Sequence, residues 1–556
     1  MLTTIISSRA LTRAKSPAAV LARSLNTSST QRAGAMGHHQ AASSSVSASS
    51  SPPPPLRRPT QRAAPSTAGK KEGTIASVFA TLSGGSLEAA LPARFAELKR
   101  SMIRDEAHVQ ALKAAWLDVL TQLQGRVEET VERGGDLIPQ IEYPTDAEAA
   151  RQPIDKWTSP HTLEEVRQRG VAAIKGVVPA AQALQWKEDI QAYAKMNSAR
   201  GFPESNPQVY ELYWTRAQLA ARGHPALMRT SQAFLSLFHA PSQSDDGSAF
   251  ESVPPPELSV SLSNPLTYAD RLRIRQPGDA QFALGPHVDG GGVERWECPT
   301  FRAVWDRILA GGRSWREHDP WSLGAAAERL GAQTDMYGGA GQCSVFRPLQ
   351  GWLSMSSTRC NEGTLRVLPF LVESTAYIVL RPFFRPRRPA DVAGPAYLLP
   401  DNWEFDGDSA HFPGCSLGHN IELSDRTHPH LRLDETMTSI PQVEPGDMVL
   451  WHCDGVHSVE AQHRGRGDSS VMYIPAIPTT KVNFDYVRRQ RDAFERGIPP
   501  ADFPGGEGES SFTGRGTPAD VEGAMARRAM ALEAFEMRDD MAEAERRLLA
   551  YCNGRV

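Results

Sequence analysis

Apolar side chains recur at helical spacing through much of the first half of the chain. Residues 87–123 carry large apolar residues three and four positions apart, which is the period of one buried helix face. Further helices are predicted over residues 180–196 and, with a break at a Gly-His-Pro step, over residues 209–238. Thr162, which is closely followed by two glutamates, has the pattern of a capped helix start. These patterns predict an α-rich region over residues 74–240.

From residue 241 the pattern changes to short apolar runs that are separated by glycine and proline. Runs of four to eight residues bounded by turn residues are typical of strands. We predict strands over residues 272–275, 352–356, 364–369, 377–380, 448–451 and 470–474. Many short strands of this kind indicate a β-sandwich or a jelly roll. The sequence therefore predicts an α+β fold with a jelly-roll core over residues 241–485.

Two insertions interrupt the predicted core, and a helical tail follows it. Residues 301–340 have helical character, whereas residues 381–436 are rich in Pro, Asp and His and are expected to loop over the surface. Residues 486–556 are predicted to form a helical C-terminal extension, in which residues 518–551 make one charged helix.

The amino-terminal residues have a composition of their own. Residues 1–71 contain no Asp or Glu and carry scattered Arg among Ser, Thr and Ala. A basic start that lacks acids and is rich in Arg and Ser predicts a mitochondrial presequence, here over residues 1–35. Residues 36–73, with their Ser and Pro runs, are predicted to be a disordered linker. The alternative is a basic tail without a targeting role, with Met36 as the start of a shorter cytosolic form.

Charge and cysteine content exclude several classes of protein. The formal net charge of -4 gives no general attraction to nucleic acid or to anionic membranes. The six cysteines form no CxxC pair, which favours reduced thiols in an intracellular compartment over a disulfide framework. No apolar run approaches the roughly 18 residues that a membrane-spanning helix needs.

The chemistry is carried by a His-x-Asp pair and a distant histidine. His287 and Asp289 follow a strand-like segment, and His457 follows the apolar run after a Gly-Asp turn. Residues i and i+2 of an extended backbone point to the same side, so the imidazole and the carboxylate can meet one metal ion. Two histidines and one carboxylate form the facial triad of non-haem iron(II) oxygenases, which leaves positions open for a 2-oxo acid and O2.

A His-x-Asp pair alone is a weak signal, because a chain with 15 histidines contains about one by chance. His452 and Asp454 indeed form a second such pair. Order and context separate the two: the first pair lies upstream after a strand, and the second lies inside the segment that carries the distal histidine. The joint pattern is much more specific than either piece.

Four segments carry a resemblance to known proteins, namely residues 272–278, 285–296, 451–457 and 471–476. In these motifs the chain resembles the phytanoyl-CoA dioxygenase-like branch of the 2-oxoglutarate oxygenases. It is more closely similar to a bacterial and fungal family that carries only a domain-of-unknown-function label. The resemblance covers roughly residues 74–489. It implies a cupin-like double-stranded β-helix and an iron(II)- and 2-oxoglutarate-dependent dioxygenase that hydroxylates an organic substrate with O2 and releases succinate and CO2.

The resemblance also implies roles for individual residues. His457 rather than His452 is the expected distal metal ligand, beside His287 and Asp289. The distal carboxylate of 2-oxoglutarate is expected to meet a basic residue and a hydroxyl on the following strand. The candidates are first Arg466 with Ser470, and then one of the alternating arginines of the earlier strand, including Arg273 and Arg275. Alternatively, these arginines only form a solvated face of the strand and bind no co-substrate.

Two other functions remain open at this point. One is a non-catalytic metal-binding β-barrel module, which fold alone does not exclude. The other is a zinc-dependent hydrolase that uses the same triad, although neither Glu294 nor Asp454 has an obvious role as its general base. The organic substrate is expected to be a small molecule of unknown identity, and the oligomeric state is open.

Overall fold

The computed structural model describes residues 77, 79–81, 91–240, 254–280, 283–503 and 505–556. The predicted presequence, residues 1–35, and the predicted linker, residues 36–73, lie outside the described residues. In the part of the chain that is described, no helix combines the length and the apolarity needed to cross a membrane.

Helices dominate the first half of the described chain, as predicted. They are α1 Arg94–Ser101, α2 Glu106–Arg133, α3 Pro160–Arg169, α4 Ala180–Met196, α5 Arg216–Arg222 and α6 Pro225–Leu235. The predicted helix over residues 180–196 has the bounds of α4. The cap of α3 is Ser159 and not Thr162: the Ser159 hydroxyl accepts the backbone N–H of Thr162, and Pro160 occupies the first turn, where no N–H is needed.

The same region also supplies four short strands, which the helical periodicity does not reveal. They are β1 Gln140–Glu142, β2 Val171–Lys175, β3 Gly201–Phe202 and β4 Val209–Tyr210. All four belong to one eight-stranded sheet with strands from the second half of the chain. Residues 74–240 therefore contribute to the same sheet as the predicted core.

The strands after residue 254 are mostly short. They are β5 Val260–Leu266, β6 Leu272–Arg275, β7 His287–Val288, β8 Leu349–Ser354, β9 Leu365–Val367, β10 Phe384–Pro386, β11 Trp403–Phe405, β12 Ile421–Glu422, β13 Thr438–Ser439, β14 Met448–His452, β15 His457–Val459, β16 Ser469–Tyr473 and β17 Ile477–Thr480. The eight-stranded sheet has the order β1-β2-β14-β8-β16-β6-β4-β3, and a five-stranded sheet has the order β12-β7-β15-β9-β13. The prediction of a mixed α+β fold is confirmed.

The remaining helices correct two predictions. They are α7 Glu294–Glu297, α8 Pro299–Ala303, α9 Asp306–Leu309, α10 Glu328–Gly331, α11 Leu371–Leu380, α12 Ala390–Ala393, α13 Leu433–Thr436, α14 Lys481–Arg496, α15 Ala524–Ala529 and α16 Glu543–Asn553. The strand predicted over residues 377–380 is the end of α11, whose apolar run is buried almost all round and so shows no helical period. The single helix predicted over residues 518–551 is wrong, because Ala531 takes a positive φ between α15 and α16.

Apolar clusters show how the two sheets are placed. Trp352 and Trp451 of the eight-stranded sheet belong to one cluster with Leu365 and Val367 of the five-stranded sheet. The opposite sides of both sheets pack against helices. On α2, Trp116 stacks on two aromatic rings with centroid distances of 5.2 and 4.4 Å, and such pairs add to the stabilisation from burial alone. The space between the sheets is therefore enclosed by two supported layers.

Candidate metal centre

Two neighbouring strands of the five-stranded sheet carry the two predicted histidine ligands. His287 on β7 and His457 on β15 stand directly opposite each other in the antiparallel register. Side chains at opposed positions project from the same face of a sheet, and the two ring centroids are 4.1 Å apart. Both residues are buried. The local strand pairing therefore places both imidazoles at one point.

Asp289 completes the group two residues after His287. Its Oδ1 lies 3.6 Å from His287 Nε2, and its Oδ2 lies 3.7 Å from His457 Nε2. The ligand atoms of the three residues all lie within 4.8 Å of one another. This is the spacing that a single metal ion bound by two imidazoles and a carboxylate requires.

Backbone carbonyls orient both imidazoles. His287 Nδ1 lies 2.7 Å from the carbonyl oxygen of Gly285, and His457 Nδ1 lies 3.0 Å from that of Gly455. A ring that donates its Nδ1–H to a carbonyl keeps Nε2 as the unprotonated ligand atom, and such contacts are typical of metal-binding histidines. Both Nε2 atoms are therefore available on the side that faces Asp289.

Neighbouring groups hold Asp289 in its ligating form. The side-chain amide of Asn420 donates to Oδ1, and the guanidinium of Arg347 lies 3.4 Å from Oδ2. Burial by itself would raise the pKa of Asp289, but the nearby histidines and Arg347 outweigh it and lower that pKa. Burial and the neighbouring His457 lower the pKa of His287 to about 4. At neutral pH the pair is ready to bind a cation without first releasing a proton.

The second His-x-Asp pair is built differently, although His452, Cys453 and Asp454 also bring their ligand atoms within 4.8 Å of one another. Both ring nitrogens of His452 are used: Nε2 lies 3.0 Å from the carbonyl oxygen of Pro320, and Nδ1 accepts the backbone N–H of Asp454. Asp454 forms a buried ion pair with Arg329 at 2.7 Å. The structure thus brings His457, and not His452, together with His287 and Asp289.

The three candidate ligands line a cavity of about 150 Å³ whose wall includes residues of both large sheets. The eight-stranded sheet contributes Trp352, Trp451 and Tyr473. Phe79 closes part of the cavity, and its ring meets His287 edge-on at a centroid distance of 4.8 Å. The candidate metal centre therefore opens into a cavity between the two sheets, with aromatic rings in part of its wall.

Of the four residues predicted to bind 2-oxoglutarate, Arg273 lines this cavity. Arg275 is fully buried elsewhere, where it pairs with Asp279 at 2.7 Å and donates to backbone carbonyls. Ser470 is also fully buried and donates its hydroxyl to Asp468. Arg466 is exposed. Neither Arg275, Ser470 nor Arg466 is among the residues that line the cavity.

Strand alternation explains this placement. On β16, Ser469, Val471 and Tyr473 line the cavity, so Ser470 points to the other face of the sheet. Arg271 and Arg273 on the neighbouring strand share the cavity face, as predicted from their spacing. The alternation is thus correctly predicted, whereas the position at which the cavity ends along the strand is not encoded in that spacing.

Sequence reasoning did not find Arg347 or Asn420, which contact Asp289. Each lies far from the His-x-Asp motif in the chain and outside any strand. No spacing rule connects them to the motif. Their positions depend on how loops of two distant segments pack beside β7.

The comparison with protein families decides the relationship of the chain. The sequence pattern of the Gig2-like family matches residues 89–532. The chain belongs to the Gig2-like family. This Gig2-like protein is 34% identical over 373 residues to the uncharacterized protein YbiU of Escherichia coli strain K12, a match that covers 64% of this chain and 78% of YbiU.

Solved structures agree with this membership. GlcNAc Inducible Gene 2 (GIG2, DUF1479) from Candida albicans has a TM-score of 0.72 and 30% identity, over 84% of this chain and 95% of that chain. A protein from Salmonella typhimurium LT2, whose name assigns it provisionally to the oxidoreductases, has a TM-score of 0.62 and 29% identity, over 79% of this chain and 98% of that chain. The predicted resemblance to a bacterial and fungal family with a domain-of-unknown-function label is confirmed.

Proposed function

We propose that this Gig2-like protein is an iron(II)- and 2-oxoglutarate-dependent dioxygenase that hydroxylates an organic substrate and releases succinate and CO2. The observation that supports it most strongly is the convergence of His287, Asp289 and His457 at the wall of a cavity between the two sheets. We further propose that the two large sheets form a double-stranded β-helix, related to that of the phytanoyl-CoA dioxygenase-like branch.

The donor set fits iron(II). His287 and His457 would supply two imidazole nitrogens, and Asp289 would supply one carboxylate oxygen, which is the ligand combination of non-haem iron oxygenases. Bound there, iron(II) would supply the redox chemistry that links oxidative decarboxylation of 2-oxoglutarate to hydroxylation of the organic substrate by O2. The carbonyls of Gly285 and Gly455 hold the two rings in place, and Asn420 and Arg347 hold the carboxylate.

Arg273 is the best candidate to bind the distal carboxylate of 2-oxoglutarate. It lies on the cavity wall, is 5% exposed, and contacts Tyr473, which lines the same cavity. A guanidinium matches a carboxylate with two parallel hydrogen bonds. The neighbouring Arg275 uses four of its five N–H donors on Asp279 and on three backbone carbonyls, so it lacks the two parallel donors that a second carboxylate would need.

Aromatic rings form the wall next to the candidate ligands. The indole rings of Trp352 and Trp451 and the ring of Phe79 surround the candidate ligands with apolar surface. A water-poor shell strengthens the interactions of bound charges and limits side reactions. A zinc hydrolase would need a general base here. Neither Glu294 nor Asp454 lines the cavity, and Asp270, the carboxylate besides Asp289 that does, is paired with Arg271 and Arg347.

Anaerobic titration of the metal-free protein with iron(II) and then 2-oxoglutarate tests the proposal. We expect a weak visible charge-transfer band from the chelated co-substrate. Arg273→Met should keep iron binding, and the band should then require much more 2-oxoglutarate, about ten-fold or more, because a hydrogen-bonded ion pair is lost. Arg385→Gln, at an exposed arginine paired with Glu404, serves as the matched control. An iron-loaded wild type that shows no band at any 2-oxoglutarate concentration contradicts the proposal.

A further inference from the structure

One wall of the cavity carries hydrogen-bond donors that the protein itself does not satisfy. Among the described residues, Gln350 Nε2 and Trp451 Nε1 are buried and have no hydrogen-bond partner. Gln350 is 5% exposed and Trp451 is 6% exposed, and both line the cavity. Buried donors are nearly always paired, so an unpaired one calls for an explanation such as a missing ligand. Two of them together indicate that a bound molecule offers acceptor atoms here.

The two donors are neighbours. Gln350 on β8 and Trp451 on β14 stand directly opposite each other in the antiparallel register, and opposed side chains project from the same face. The guanidinium of Arg347 lies on the wall of the same cavity, three residues before Gln350. We call Arg347, Gln350 and Trp451 the donor wall. It lies beside the candidate metal centre, since Arg347 contacts Asp289 and the Trp451 ring lies 5.2 Å from that of His457.

A side chamber of about 50 Å³ adjoins the donor wall. Its lining shares Asp289, Arg347 and Gln350 with the main cavity and adds Arg295 and Arg329. Arg347 and Gln350 therefore stand where the chamber and the cavity meet. The donor wall thus has additional space behind it for a small polar group of a ligand.

The charges of both spaces favour an anion. The charged side chains of the main cavity, apart from the histidines, are three arginines and two aspartates, which gives an excess of one positive charge. The side chamber adds Arg295 and Arg329 against Asp454, which gives one more. Iron(II) and the doubly charged 2-oxoglutarate would cancel each other. The enclosed space therefore keeps a positive excess that the co-substrate does not neutralise, and buried charge is costly unless it is paired.

The donor wall is remote from Arg273 along the sheet. On β16, Val471 pairs with Arg273 on one side and with Ser354 on the other. Gln350 lies four residues before Ser354 on β8, which is about 13 Å along the strand, and β8 lies about 10 Å across the sheet from the strand of Arg273. The backbones of Gln350 and Arg273 are therefore roughly 16 Å apart. Side chains stand roughly perpendicular to a sheet, so the two cationic ends of the cavity remain separate.

We propose that the donor wall binds a carboxylate of the organic substrate, so that the substrate is an organic acid held at the end of the cavity opposite Arg273. This assignment rests on the proposed function, because it leaves Arg273 to 2-oxoglutarate. Arg347 provides the charged partner, and Gln350 and Trp451 each donate one hydrogen bond. A planar carboxylate has the acceptor geometry that a guanidinium and two N–H donors match.

Binding of matched acids and amides tests this inference. The probes are the straight-chain acids from butyrate to decanoate, together with benzoate and phenylacetate. Each acid is compared with its neutral primary amide. Quenching of tryptophan fluorescence reports occupancy, since Trp352 and Trp451 line the cavity. Titrations are run on the full-length protein with iron(II) and 2-oxoglutarate under nitrogen, and again without metal. We expect at least one acid to bind about ten-fold or more tightly than its amide, because hydrogen bonds to a charged acceptor are the strong ones.

Variants locate the site. Gln350→Glu keeps the shape of the side chain but replaces donors with a negative charge, so it should abolish the preference for acids while 2-oxoglutarate affinity and the charge-transfer band stay unchanged. Arg273→Met should weaken 2-oxoglutarate binding and leave the preference for acids over amides unchanged. Trp451→Phe removes the N–H donor together with part of the aromatic ring and should weaken acid binding by about ten-fold, with Trp352 as the remaining tryptophan on the cavity wall. Arg547→Gln, at an exposed arginine of α16, is the control, and thermal unfolding shows that each variant is folded.

Three results would overturn the inference: no acid of the panel binds, acids and amides bind equally, or Gln350→Glu weakens 2-oxoglutarate and acids alike. The last result would assign the donor wall to the co-substrate. Failure of the proposed function gives a different result from failure of this inference. If the proposed function is wrong, the wild type lacks the charge-transfer band, whereas the titration without metal still shows whether acids bind more tightly than amides.

Discussion

Two clusters of this protein each contain a His-x-Asp pair and differ in which of their ligand atoms already have hydrogen-bond partners within the protein. The candidate metal centre contains His287, Asp289 and His457, and the second cluster contains His452, Cys453 and Asp454. Both are largely buried, and both bring three ligand atoms within 4.8 Å of one another. Proximity and burial therefore do not distinguish them.

Hydrogen bonding does distinguish them. In the candidate metal centre each histidine uses only Nδ1 for a contact with a backbone carbonyl, whereas in the second cluster both nitrogens of His452 have partners within the protein. The Asp454 carboxylate is neutralised by Arg329, and burial raises the pKa of Cys453 to about 12, so its thiol stays protonated. A metal site requires unprotonated ligand atoms, and only in the first cluster does each histidine keep a ring nitrogen that faces the other candidate ligands instead of a backbone group.

The largest effect is expected on iron binding. His287→Ala and His457→Ala should each reduce iron(II) affinity by more than the roughly 10–100-fold that loss of an outer contact costs, because a ligand itself is removed. His452→Gln should leave the affinity unchanged, since His452 Nε2 faces the Pro320 carbonyl. Metal analysis after anaerobic equilibrium dialysis measures all three.

The assignment of the metal site to the first cluster would be wrong if the His452→Gln variant lost iron(II) binding while the His457→Ala variant kept it. That result would exchange the roles of the two clusters. Circular dichroism of each variant provides the control, because a misfolded protein would lose iron for a different reason.

The sequence predicted which three residues meet in the candidate metal centre, but it did not predict the residues around them. His287 and Asp289 could be found because the two-residue repeat of a strand fixes their common side, and the downstream turn and strand located His457. Arg347 and Asn420 could not be found, because their contacts with Asp289 depend on the packing of distant loops. Likewise, the period of the apolar run in α11 predicted a strand, since a helix that is buried almost all round shows no polar face.

A smaller, structural effect is expected when the ion pair of the second cluster is broken. Arg329 and Asp454 are both almost fully buried, with 3% and 5% of their side chains exposed. Arg329→Met should lower the free energy of unfolding by about 3–5 kcal/mol, because it leaves a buried carboxylate without its partner. Urea unfolding measures the change. The double variant Arg329→Met, Asp454→Asn removes both charges and should recover part of the loss, whereas an equal loss in both variants would show that the charge pair is not the cause.

The smallest expected effect is a pH dependence of stability that comes from His452. Burial is the main cause that lowers the pKa of His452 to about 4 in the folded protein, whereas an exposed histidine has a pKa of about 6.5. Between these values the unfolded chain takes up a proton that the folded chain does not. Stability should therefore be fully retained above about pH 6.5 and fall as the pH decreases toward 4, by at most about 1.4 kcal/mol per pH unit from this one group.

His452→Gln removes this proton, so its free energy of unfolding should change less steeply with pH than that of the wild type over the same window. Other buried histidines add slopes of the same sign; His318, for example, has a pKa of about 4 because of its burial. The difference between variant and wild type therefore isolates His452. His161→Gln, at an exposed histidine, should leave the slope as it is. Equal slopes in wild type and His452→Gln would mean that His452 gains a proton as readily in the folded protein as in the unfolded chain, and the hydrogen bonds that separate the two clusters would then not fix its neutral form.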